Sequence, residues 1–217
     1  MNSPFGAIFD MDGVIVHSNP AHKIAIRQFC KKHNLNVSDD FLERKIYGRT
    51  NKEWIPELFG ELDEAEINRL ADEKEALFRS MFDPEKEIVP GLREFLQNLK
   101  SSGIPTVVAT SAPGDNADFI LGRLKIRDMF QTVLDSSHVE RGKPEPEVYL
   151  KASAALNLPP EQCFVFEDSI AGVQAGVRAG AKVIGVSTTH SPGELNGCIR
   201  VISSFTGLAI HELQELL

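Results

Sequence analysis

Cysteine is scarce in this chain. Three thiols, Cys30, Cys163 and Cys198, make an odd number, widely spaced, with no CxxC pair and no accompanying histidine pattern. That argues against a disulfide framework and a zinc site, and the expectation is reduced thiols in a cytoplasmic protein. Long apolar runs are missing as well. Stretches such as 107–109 and 183–184 fall far short of the roughly 20 residues a membrane-spanning helix needs. The first nine residues show no basic cluster and no extended apolar segment before a small-residue cleavage site, so no secretory leader is expected. Positive charge is also in deficit: 23 Lys and Arg face 31 Asp and Glu, a formal net charge of −8. Duplex nucleic acid is thereby disfavoured as a partner, because such binding draws on Lys and Arg at phosphates. A small anion is not, provided a lysine or a metal ion reverses the local field.

What is present is ordinary globular composition, 42% hydrophobic and 25% charged, which disfavours disorder. The 217 residues suffice for a core and a small accessory domain, and a monomer is expected. Compact apolar runs at 5–9, 106–109, 132–134, 163–166 and 183–186 read as buried strands. Helical periodicity lies between the later ones, through Phe119, Ile120 and Leu124, and through Val148, Tyr149, Ala152 and Leu156. Strands alternating with helices predict an α/β fold with a parallel sheet covered on both faces.

Roughly ninety residues separate the first two strands, against about 2–6 for a usual α/β connection. They carry helical patterns of their own. Asn19 reads as an N-cap with Pro20 at the first helical position, and Ala21, Ile24, Ala25 and Phe29 as the buried face. A second long helix follows through Ile67, Leu70, Leu77 and Met81, broken at Asp83-Pro84. Leu92, Phe95, Leu96 and Leu99 form a further helix, stopped at Gly103 and assigned to the core. The predicted organisation is a core of 1–17 and 86–217 with a helical module over 18–85.

Chemistry concentrates at strand ends. Asp10-Met11-Asp12-Gly13 follows the first strand, with Gly13 permitting a sharp turn. Glu167 and Asp168 close the fourth apolar run. Carboxyl ends of parallel strands face the crevice where such sheets bind ligands. Converging carboxylates repel by roughly 4 kcal/mol per pair at 4 Å and a dielectric of 20, so a cluster calls for a cation, and oxygen-only ligands favour magnesium. Thr110-Ser111 ends the second strand, and Lys143 sits between Gly142 and Pro144 in a stiffened loop. Taken singly, each has a plain reading as a turn, a helix cap or a surface lysine.

Asp10/Asp12, Thr110, Lys143 and Glu167/Asp168, in that order over essentially the whole chain, resemble the four motifs of the haloacid dehalogenase-like superfamily. The segments 10–13, 142–146 and 167–172 are most similar to its β-phosphoglucomutase and sugar-phosphate phosphatase branch. The resemblance implies a Rossmann-like core with an inserted helical cap. It implies Asp10 as the nucleophile that forms an aspartyl-phosphate, and Asp12 as general acid and base. A magnesium ion would be held by Asp10, the Asp12 carbonyl, Glu167 and Asp168, and the transferring phosphoryl group by Thr110, Ser111 and Lys143. Asp12 separates this chain from the superfamily's dehalogenases and from its ATPases, which usually carry Thr there. In the cap, His22 matches a histidine near the hinge, and 48–51 resembles the specificity loop. The branch's mutases place Arg three residues after that loop's glycine, where this chain has Asn51. Arg49 would substitute only from another direction, and Lys74 is a further cap candidate. Trp54 and Phe59 read as cap core.

The expected activity is therefore magnesium-dependent hydrolysis of a small phosphorylated metabolite, with β-phosphoglucomutase as the alternative. A phospho-accepting receiver is a poorer match, since its lysine follows all its acids whereas Lys143 precedes Glu167 and Asp168. A non-catalytic binding protein would have lost a motif, and none is missing.

Overall fold

Strand β1, Gly6–Phe9, is buried along its whole length and lies at the middle of the sheet. It pairs in parallel with β2 (Thr106–Ala109) on one side and β4 (Cys163–Glu167) on the other. Beyond these lie β3 (Thr132–Leu134), β5 (Lys182–Val186) and β6 (Arg200–Ile202). The order is β3-β2-β1-β4-β5-β6, all parallel. In this computed structural model residues 5–217 are described. The first four residues, which belong to the expected core segment and to the expectation of no leader, lie outside them.

Successive side chains of a strand point to opposite faces, and the two faces have different fillings. Phe9 and Phe166 stack at 4.7 Å, and both meet Phe95 and Phe205. On the other face Ile8, Val107 and Val165 pack with Val148, Tyr149 and Ala152 from the helix Glu147–Ala155. That helix reaches the sheet end where the acidic residues gather.

The described residues divide into two compact units, one being Ser18–Asp83 and the other 5–17 together with Pro84–Leu217. The boundary at Asp83/Pro84 falls two residues before the expected one, where the helix Glu64–Met81 has already ended. The helical unit also contains Asn19–Lys32 and Asn51–Phe59. Its core joins Ile26, Phe29, Cys30, Leu42, Ile46, Trp54, Ile55 and Leu70, with Phe59 packed against it.

Two local expectations are corrected. Asn19 is inside the first helix, and Ser18 holds the cap position. The buried face of that helix is Ala25, Ile26, Phe29 and Cys30, while Ile24 is 51% exposed. Ile26 precedes Phe29 by three residues and shares its face; Ile24 precedes it by five and is turned away. Among the described residues no helix is long and apolar enough to cross a membrane.

Candidate active site

Strand order reverses about β1, so the carboxyl ends of β1, β2 and β4 border the switch-point crevice of an open parallel sheet. Asp10 follows β1 directly, and its N–H donates to Phe166 O at 3.0 Å. Thr110 follows β2, with its N–H on Leu134 O at 2.9 Å. Glu167 is the last residue of β4, and Asp168 comes next. Backbone pairing thus brings together side chains more than a hundred residues apart in sequence.

Lys143 is the hub. Its ammonium donates to Asp10 Oδ1 at 2.6 Å, to Glu167 Oε1 at 2.6 Å and to Ala109 O at 3.3 Å. Glu167 is fully buried. Its Oε1 also accepts the Tyr149 hydroxyl at 2.6 Å, and its Oε2 accepts Asp168 N, Ser169 N and Ser169 Oγ, each at 3.0 Å. Asp168 accepts from the Thr189 hydroxyl. Gly13, at φ +82°, lies so close to the Asp168 carboxylate that a β-carbon would collide with it, which is a second reason for glycine there.

Carboxylate oxygens of Asp10, Glu167 and Asp168 lie within 4.8 Å of one another. The side chain of Asp12 is half-buried in the turn after β1 and is not in that group of three, although its charge is felt at Asp10. Three carboxylates against one ammonium leave two negative charges if all ionise. Burial pushes Asp10 up to about 7 despite the opposing pull of Lys143, with Glu167 and Asp12 adding like charge. Burial, Glu167 and Asp10 drive Asp168 well above the carboxylate range. Burial would raise Glu167 as well, but Lys143 and the bond from Tyr149 outweigh it and hold Glu167 low. An all-oxygen donor set carrying this surplus fits a hard divalent cation, which would neutralise it.

Thr110 is 2% exposed, and its Oγ1 accepts Ala112 N at 3.0 Å, closing the loop after β2. Ser111 is exposed at the start of that loop.

Within the helical unit a second polar cluster forms. Lys74, 4% exposed, lies 2.9 Å from His22 Nδ1 and 2.8 Å from Glu75 Oε1. Asn51 donates to Glu75 Oε1 at 2.7 Å and accepts from Trp54 Nε1 at 3.1 Å, and His22 stacks on Phe78. His22, Asn51 and Lys74 therefore meet. Arg49 does not join them: it is directed to Arg44 O at 3.4 Å and Glu57 at 3.8 Å. Sequence reasoning missed Glu75, Thr189 and Ser169, and took Tyr149 only for core. The signal available for Tyr149 was its hydroxyl, which needs a partner once the ring is buried.

A model of the family described as "Haloacid dehalogenase-like hydrolase" matches residues 7–186. The chain is 34% identical over 193 residues to a phosphorylated carbohydrates phosphatase of Thermotoga maritima, covering 86% of this chain and 87% of that one. It is 30% identical over 219 residues to a β-phosphoglucomutase of Bacillus subtilis, covering 96% and 94%. Among solved structures, a HAD hydrolase of family IA, variant 3, from Entamoeba histolytica superposes with a TM-score of 0.89 at 28% identity over 98% of both chains. With acids and threonine at three neighbouring strand ends, Lys143 reaching them from the loop before the helix Glu147–Ala155, and these likenesses beside them, the chain belongs to the haloacid dehalogenase-like hydrolases, on the side of the β-phosphoglucomutase-like and sugar-phosphate phosphatase members.

Proposed function

We propose that this enzyme is a magnesium-dependent phosphatase that hydrolyses a small phosphorylated metabolite, a sugar phosphate or a similar monoester, through an aspartyl-phosphate on Asp10. The carrying observation is Lys143 held 2.6 Å from Asp10 Oδ1 inside a buried acidic cluster. An ammonium so placed meets both the attacking carboxylate and the phosphoryl oxygens beside it. Similarity to the phosphorylated carbohydrates phosphatase supports the substrate class.

In the first half-reaction an Asp10 oxygen bonds to phosphorus while the ester P–O bond breaks, and Asp12 gives its proton to the departing alkoxide. In the second, Asp12 takes a proton from water, the water oxygen attacks phosphorus, and the Asp10–phosphorus bond breaks. Lys143 serves a phosphoryl oxygen by exchanging its longest hydrogen bond, the one to Ala109 O. The Thr110 hydroxyl and the Ser111 N–H take other oxygens. Asp10, Asp168 and the Asp12 carbonyl would hold magnesium, with Glu167, whose oxygens already accept five donors, acting through water, and the ion would supply charge neutralisation at the phosphoryl group.

The helical unit is assigned the choice of leaving group, through His22, Asn51 and Lys74. Lys74 is already paired with Glu75, and Asn51 donates to the same carboxylate. That leaves little positive charge for a second phosphate, which disfavours the mutase reading. Three free thiols suit a reducing compartment, and the cytoplasm is the proposed location.

The test is phosphate release from p-nitrophenyl phosphate and a panel of sugar phosphates, with magnesium and with chelator. Release should require the metal, and Asp10→Asn should lower turnover by roughly a thousandfold or more, about 4 kcal/mol of barrier. Full turnover in that variant would remove Asp10 as nucleophile. Isomerisation of β-glucose 1-phosphate without net phosphate release would favour the mutase instead.

A further inference from the structure

We propose that Tyr149 is a positioning residue for phosphoryl transfer, acting through Glu167 to keep the Lys143 ammonium directed at Asp10; this rests on the phosphatase reading above. Tyr149 is 1% exposed, and its ring lies in the apolar layer with Val148, Ala152 and Val165. Phenylalanine would fill that layer equally well and leave no buried hydroxyl to satisfy. The hydroxyl therefore serves something other than packing. It donates to Glu167 Oε1 at 2.6 Å, the same oxygen that receives Lys143 at 2.6 Å. The Lys143 ammonium also sits over the Tyr149 ring, 4.9 Å from its centre.

Glu167 has little freedom to respond, because its other oxygen is held by Asp168 N, Ser169 N and Ser169 Oγ. Two short bonds at one carboxylate oxygen divide its negative charge between two donors. Shared with Tyr149, Glu167 draws Lys143 less strongly than it would alone. The ammonium then remains at Asp10, 2.6 Å away on its other side. Without the hydroxyl, Lys143 becomes the sole donor to Oε1 and moves toward Glu167, away from the reacting phosphoryl group. The ring beneath the ammonium limits the directions in which it can move.

Tyr149→Phe keeps the ring and the packing and removes only the hydroxyl. Turnover should fall roughly tenfold, as is typical when a partner of a site residue is lost, with KM within about twofold. Orthovanadate, which adopts the five-coordinate geometry of the transferring group, should bind roughly tenfold more weakly in the presence of magnesium. In a Glu167→Gln background the same substitution should change turnover by less than about twofold, since the route of its action is already broken. Unchanged turnover and vanadate affinity in Tyr149→Phe, or effects that add fully to those of Glu167→Gln, would overturn the proposal. Should the wild-type enzyme release phosphate from no monoester, the phosphatase reading fails, while the vanadate comparison still decides the part played by Tyr149.

Discussion

Glu167 folds its carboxylate over Gly172, and a β-carbon at position 172 would run into both carboxylate oxygens. Gly172 lies in the first turn of the helix Ile170–Arg178, where its N–H donates to Ser169 Oγ at 3.0 Å. Helix propensity alone favours Gly172→Ala by about 1 kcal/mol. Five donors hold Glu167, so the clash is costly to relieve, and steric overpacking of this kind typically costs about 1–3 kcal/mol. The variant should lose stability on urea unfolding and at least about tenfold in turnover. A stabilised, fully active Gly172→Ala would show that Glu167 is held loosely.

Acid should stabilise the enzyme when no divalent ion is bound. Asp10 rises from an ordinary value of 3.8 to about 7 in the folded protein, chiefly by burial, and Asp168 shifts in the same direction. Between those values the folded chain binds protons that the unfolded chain has released, so stability falls as pH rises through the interval. Metal-free protein should therefore melt at a higher temperature near pH 5.5 than near pH 8. Magnesium should raise the midpoint more at pH 8, where the carboxylates are ionised and need the charge. Differential scanning fluorimetry at the two pH values, with magnesium and with chelator, checks both statements. Equal magnesium shifts at both would contradict this picture of the cluster.

Glu75 anchors the polar cluster of the helical unit. Burial would raise its pKa, but Lys74, His22 and the bond from Asn51 outweigh it and hold the carboxyl below 4.5. Its contribution is thus complete above that value and is lost as pH falls through the lowered one. Glu75→Ala leaves the buried Lys74 ammonium without its carboxylate, a loss of about 3–5 kcal/mol for a broken buried pair. Trp54, the single tryptophan, is 1% exposed in this unit and reports its unfolding directly. At pH 7 its emission should shift at clearly lower urea in the variant; an unmoved transition would mean that the pair adds little.

Much of the architecture was legible because the signals are local. Each apolar run ending in a polar residue became a strand of the parallel sheet, and Asp83-Pro84 marks the end of the long helix. Strand β6 was missed: Arg200–Ile202 is short and half-buried, and has no run to announce it. Ile24 and Ile26 differ by a rotation that periodicity resolves poorly when several nearby residues are apolar. At the site, the motifs singled out Asp10, Lys143, Glu167 and Asp168, which do meet in space. Asp12 lies outside the three-carboxylate group, and Arg49 away from His22, Asn51 and Lys74.

Order along the chain, strand-end position and residue type together determined that acids, a threonine and a lysine of this family would be available at one edge of a parallel sheet. Those properties are carried by short segments, and a sequence displays them directly. Which oxygen each donor takes is settled by packing in three dimensions: Tyr149 and Lys143 share Glu167 Oε1, Thr189 reaches Asp168, and Glu75 offsets Lys74. Such pairings depend on the register between strands and on side-chain directions within a few tenths of an ångström, and neither is written in the spacing of residues along the chain.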